Sequence, residues 1–184
     1  ISNTDKKYAL ANIAYILNEE QHCPEDVNII LDGDDWFSSY NVLSYLNSIY
    51  VEKECLMTYG TYVYYPLGTM GVEPSEYPAN VIKNNLFRKD KWRASHLRTF
   101  KHLLWNNLDM EDLKDEQGEY YKTAYDQVLM LPLLEMSSEK SHYIDKIMHV
   151  YNRSNPLNVD KVKQALQYAT AMEIRNKKPY EKIG

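Results

Sequence analysis

The chain reads as an α/β protein with a mostly parallel sheet, and three observations predict it. Two apolar, β-rich runs, "VNIILD" (27–32) and "CLMTYGTYVYY" (55–65), alternate with segments of helical spacing. No repeat or low-complexity tract interrupts that alternation. The first run ends directly in Asp32, Asp34 and Asp35, an acidic cluster at a strand end. In parallel sheets, ligands gather beyond the carboxyl ends of the strands.

Taken in order, Asn3 or Thr4 can cap a first helix running to about Asn18, with Tyr8, Ile13 and Ile16 near helical spacing. Pro24 breaks the polar connector that follows. "VNIILD" is short and β-branched, which predicts a buried central strand. Ser38 or Ser39 then starts a helix to about Tyr50, with Val42, Leu43, Leu46 and Ile49 on one face. The 55–65 run is a strand interrupted by Gly60. Residues 66–91 carry Pro66, Pro74 and Pro78 with Gly68 and Gly71, which predicts a long loop.

"SHLRTFKHLLWNNL" (95–108) returns to helical spacing through Leu97, Phe100, Leu103 and Leu104, and Ser95 can cap it with His96 in the first turn. "YDQVLMLPLLEMS" predicts a helix bent at Pro132. "YIDKIMHVYN" predicts an edge strand, and "NVDKVKQALQYATAMEIRNK" a final polar helix capped by Asn158.

The 184 residues suffice for one ordinary domain, and 44% hydrophobic with 26% charged residues is a globular composition. A net charge of −5 without any basic run argues against nucleic acid as a partner. No apolar run reaches the length of a membrane span, and no signal peptide is visible at Ile1. The default compartment is therefore cytoplasmic, or peripheral on a cytoplasm-facing membrane. Cys23 and Cys55 are too few for a disulfide framework; two idle or buried thiols are expected, with Cys55 at the start of a strand.

The crowded acids ask for a cation. Carboxylates are hard oxygen ligands suited to Mg²⁺ or Mn²⁺, and so small a set leaves sites open for a diphosphate. Three rivals stand beside this. The first is a plain acidic turn with Asp35 or Ser38 as helix cap. The second is an aspartyl phosphotransferase strand, although Asp35, Trp36 and Phe37 follow where that chemistry wants Thr or Val. The third is a calcium loop, whose spaced ligands and terminal Glu are missing.

"IILDGDDWF" resembles the D-x-D region of family 2 glycosyltransferases of the GT-A fold. "DKKYALANIAYI" resembles the helix upstream of it, and "LMTYGTYVYYPLG" the strand and loop downstream. "WRASHLRTFKHLLW" is similar to the start of the acceptor side, "TAYDQVLMLPLLEM" to the helix with the catalytic Asp, and "VYNRSNPLN" to the closing segment. The likeness covers roughly residues 3–158, in order.

The resemblance implies a metal-dependent inverting glycosyltransferase moving a sugar from a nucleoside diphosphate, UDP by family habit, to a hydroxyl of a glycan or glycoconjugate. Residues 1–65 would form the donor and metal part, 66–158 the acceptor and base part, and 159–184 a C-terminal helix. Asp32 would face the ribose, Asp34 or Asp35 the metal, and Lys7 (with Lys6 as competitor) the nucleotide. Asp126 would take the proton of the acceptor hydroxyl; otherwise it is a first-turn acid stabilised by the helix dipole. His149 would complete the metal shell. Trp92, Arg93 and His96 would line the acceptor cleft, while Trp36 packs under the loop.

One departure stands out. Such enzymes carry a nucleotide-binding half before this region, whereas this sequence starts in the helix before the D-x-D strand. The resemblance therefore implies an incomplete module, weak donor binding in isolation, and exposed strand edges that favour oligomers or a larger parent chain. The alternative is a carbohydrate- or protein-binding remnant without catalysis.

Overall fold

The computed structural model describes residues 7–19, 21–156 and 164–183. Lys6, the caps expected at Asn3, Thr4 and Asn158, and the start of the last helix lie outside them. The elements are α1 (Ala9–Glu19), β1 (Val27–Ile30), β2 (Trp36–Phe37), α2 (Val42–Lys53), β3 (Met57–Tyr65), α3 (Ala79–Lys83), β4 (Ser95–Lys101), α4 (His102–Asn106), α5 (Tyr125–Ser137), β5 (Ser141–Asn152) and α6 (Gln164–Asn176).

The protein is α/β, with one five-stranded sheet in the order β1-β4-β3-β5-β2 and helices packed against it. The sheet is mixed and not mostly parallel. β1–β4, β3–β4 and β2–β5 are antiparallel, and β3–β5 is the one parallel pair among the described residues.

Three strand expectations need correction. Residues 95–101 are the fourth strand and not a helix; the helix begins only at His102. Every residue from Ser95 to Phe100 is buried, so the period-2 signal is lost, and Leu97, Phe100, Leu103 and Leu104 imitate helical spacing across a strand–helix junction. β1, expected in the centre, is an edge, with Val27 exposed and Asn28–Ile30 half-buried. β5, expected at an edge, lies between β3 and β2.

The core has two faces. On one, α1 places Leu10, Ala14 and Leu17, and α5 places Val128 to Leu134, against Met57, Tyr59 and Phe100. On the other, α2 packs Val42, Leu46, Ile49 and Tyr50 on Leu97, Ile144 and Met148. Ile16 and Leu43, counted among the inward residues from sequence, face solvent. Burying a polar atom costs free energy unless it is bonded. The Tyr50 hydroxyl accordingly meets Thr99 Oγ1 at 2.8 Å, and Thr99 meets Thr58 Oγ1 at 2.6 Å.

Gly60 does not end β3. A Cβ there would lie 3.0 Å from the Ile144 oxygen and 3.4 Å from the His96 oxygen, so glycine lets both neighbouring strands close in where the register shifts. α5 carries Pro132 internally, as expected. Cys55 is buried, Cys23 is exposed, and both are free thiols. No helix among the described residues is long and apolar enough to cross a membrane.

Candidate active site

The acid loop is held between two strand pairings. β1 ends opposite β4, with Ile30 paired to Arg98; the chain then turns, Asp35 N–H donating to the Asp32 carbonyl at 3.0 Å. β2 follows at once and pairs with β5, Trp36 with Val150 and Phe37 with His149. Three acids within four positions are thus delivered to the end of the sheet, each in a different environment.

Asp32 Oδ1 accepts from the Tyr125 hydroxyl at 2.6 Å, which links the loop to the start of α5. Asp34 is exposed; its Oδ2 accepts from Asn155 Nδ2 at 2.6 Å. The Asp35 side chain is only 2% exposed. Its Oδ2 accepts from His149 Nε2 at 2.8 Å and its Oδ1 from the Asn152 N–H at 2.8 Å, so both oxygens are engaged.

A cleft of about 350 Å³ opens above this loop. It is lined by Asp32, Asp34 and Asp35, by Asp126 in the first turn of α5, and by Arg98, His96, Lys122 and Tyr125. A second cleft of about 460 Å³ shares Asp126, His96, Arg98 and Tyr151 with it and is lined further by tyrosines and Trp92. Asp126 therefore faces both.

Arg98 is the cation at the junction. Its Nη1 donates to the Tyr125 hydroxyl at 3.3 Å and its Nη2 to His96 Nε2 at 2.9 Å. Burial works against its charge, but Tyr125, Asp126 and Asp32 around it more than compensate and hold it up. Burial, then the charges of Arg98 and His149, push His96 well below the ordinary imidazole value, so it is neutral. Burial likewise raises Tyr125, keeping its hydroxyl a donor to Asp32.

His96 and His149 stack at 4.3 Å between ring centroids. With Asp35 they offer three ligand atoms within 4.8 Å of one another, a spacing an ion can span. His149 is fully buried and lines neither cleft.

The remaining candidates are dispersed. Lys7 is exposed and lines a separate groove with Tyr15 and Asn18, although Tyr8 and Lys122 belong to that groove and to the acid cleft alike. Trp92 lines the second cleft. Arg93 lines neither; its Nε pairs with Asp90 at 2.6 Å and its Nη1 donates to Ser75 Oγ at 2.9 Å, tying down the loop before α3. Trp36 is 40% exposed and meets the Tyr65 ring edge-on, 5.2 Å between centroids.

Sequence reasoning missed Arg98, Tyr125, Asn152 and Asn155. Arg98 and Tyr125 adjoin residues it had marked, but the misread helix at 95–108 hid the inward direction of Arg98. Neither protein-family models nor curated proteins give a match to this chain.

Proposed function

We propose that the chain is a metal-dependent inverting glycosyltransferase that uses a nucleoside diphosphate sugar, UDP-linked by family habit, and a hydroxyl acceptor. The observation that carries this reading is the shared cleft: Asp32 and Asp34 at a strand end and Asp126 on a distant helix line one cavity. Its GT-A character rests on the ordered sequence resemblance together with an acid loop at the sheet's end.

Mn²⁺ or Mg²⁺ fits Asp34, an exposed carboxylate whose Oδ1 has no partner among the described residues. Asp35 fits less well as an open ligand because both its oxygens are engaged; with His149 it anchors the loop from behind. When bound, the ion supplies Lewis-acid stabilisation of charge on the departing diphosphate.

The chain's own residues do the rest. Asp32, fixed by Tyr125, presents its second oxygen to the donor's ribose. Asp126 accepts the proton of the acceptor hydroxyl as that oxygen attacks the anomeric carbon and the bond to the diphosphate breaks. One displacement inverts the configuration. Arg98 remains charged beside Asp32 and Asp126 and limits the repulsion between them.

The test is release of UDP from saturating UDP-sugar with Mn²⁺, comparing the protein with Asp126→Asn. Transfer that depends on metal and is lost in the variant supports the reading. A variant with near-normal transfer removes Asp126 as base. Sugar binding without any UDP release leaves the non-catalytic alternative.

A further inference from the structure

The second cleft has aromatic walls, with Tyr62, Tyr64, Trp92, Tyr151 and Tyr168 around it. Tyr62 and Tyr64 are two apart on β3 and so share a face; their hydroxyls meet at 2.9 Å. The chain beyond β3 folds back along them, Tyr64 N–H donating to the Thr69 carbonyl at 2.8 Å and Gly71 N–H to the Tyr62 carbonyl at 2.9 Å. A Cβ on Gly71 would come within 2.4 Å of the Tyr62 ring, so glycine is what lets this return lie flat on the tyrosine. The return brings Glu73 to the cleft.

Glu73 has no hydrogen bond or ion pair among the described residues. Burial and then the charge of Asp126 raise its carboxyl above the usual range. Arg98 is the one cation lining this cleft among the described residues, and its Nη atoms are directed to His96 and Tyr125. Two buried donors also lack partners. One is Arg98 Nε; the other is His96 Nδ1, which carries the ring proton because Nε2 accepts from Arg98.

We infer that this cleft is a saccharide subsite selective for a free amino group, with the sugar's ammonium paired to Glu73 and a neighbouring hydroxyl facing Asp126. Aromatic faces pack against the apolar faces of sugar rings and attract cations. Hydroxyls both donate and accept, so one sugar can answer the carboxylates that line the cleft. A lipid tail would leave those polar groups unpaired. A neutral sugar leaves the repulsion between Glu73 and Asp126 in place, whereas an ammonium relieves it. That the bound sugar serves as acceptor rests on the transferase reading; binding itself does not.

The experiment is a ligand-observed NMR titration, without nucleotide or metal, using the glucosamine disaccharide, its N-acetylated counterpart and cellobiose. The amino disaccharide is expected to bind about tenfold more tightly, the scale of one charge-assisted bond. Glu73→Gln should abolish that preference, while Glu116→Gln, which removes an exposed acid away from the cleft, should keep it. Equal affinities, no binding of any of the three, a preference that survives Glu73→Gln, or one lost equally in Glu116→Gln would each overturn the inference. UDP release is a separate readout, so the transferase reading can fail while the subsite stands.

Discussion

The Tyr125 hydroxyl donates to Asp32 Oδ1 at 2.6 Å, and this contact joins the acid loop to the helix that carries Asp126. Arg98 Nη1 donates to the same hydroxyl at 3.3 Å. Tyr125→Phe removes both bonds while keeping the ring that lies 5.5 Å from the Arg98 guanidinium. Hydrogen bonds to charged groups contribute about 1.5–3 kcal/mol, so a loss near the lower end, about 1.5 kcal/mol, is expected in urea denaturation. UDP release should fall further than stability does, because Asp32 loses its orientation. An unchanged rate would show that Asp32 is not positioned through Tyr125.

Asp34 and Asp35 are adjacent but should separate cleanly by measurement. Asp35→Ala leaves His149 Nε2 and the Asn152 N–H without their acceptor inside the protein, a loss of about 3 kcal/mol. Asp34→Ala, at an exposed position, should cost less than about 1 kcal/mol yet weaken Mn²⁺ binding by calorimetry. The reverse pattern, with metal affinity tracking Asp35 and His149, would move the ion to the buried Asp35–His96–His149 group.

These two aspartates also show what could be read from sequence and what could not. The cluster at a strand end, the helix start near Asp126 and the loop after β3 are local features, visible as composition and spacing. The partners of the acids are not local: Asn152 and Asn155 reach the loop only because β5 pairs with β2 and β3 at the same time. The misplaced strands have a physical cause as well. β4 is buried from Ser95 to Phe100 and shows no alternation, and β1 is as apolar as a central strand although it lies at the edge. Sheet order depends on which strands meet in space, and an apolar run carries no record of that.

His96 sets a pH dependence. Burial, followed by Arg98 and His149, lowers its folded pKa well below the ordinary 6.5. The unfolded chain then binds a proton from about pH 6.5 downward that the folded protein refuses, so stability is full above that value and declines as pH falls toward the depressed folded pKa. Denaturation midpoints measured with chelator between pH 7.5 and 5 should fall, and His96→Gln should flatten that slope. A slope unchanged in the variant would assign the effect to other groups.

The Arg88–Glu135 pair is a buried ion pair and so an electrostatic liability. Its side chains are 5% and 0% exposed, with Nε to Oε1 at 2.6 Å and Nη2 to Oε2 at 2.9 Å. Arg88 Nη1 also donates to the Ile174 carbonyl at 2.6 Å, and the Tyr180 N–H donates to Glu135 Oε2 at 3.0 Å, so the pair fastens α6 and the C-terminal segment to α5. Burial of Glu135 outweighs these partners and raises its carboxyl, so its charge depends on the cation paired with it. Arg88→Met should therefore cost about 3–5 kcal/mol, the usual consequence of leaving one charge buried alone. The double variant Arg88→Met with Glu135→Leu removes both charges and should recover a large part of that loss. If the double variant is less stable than Arg88→Met alone, Glu135 holds the C-terminal segment through Tyr180 independently of the pair, and hydrogen exchange at Tyr180 will show it opening first.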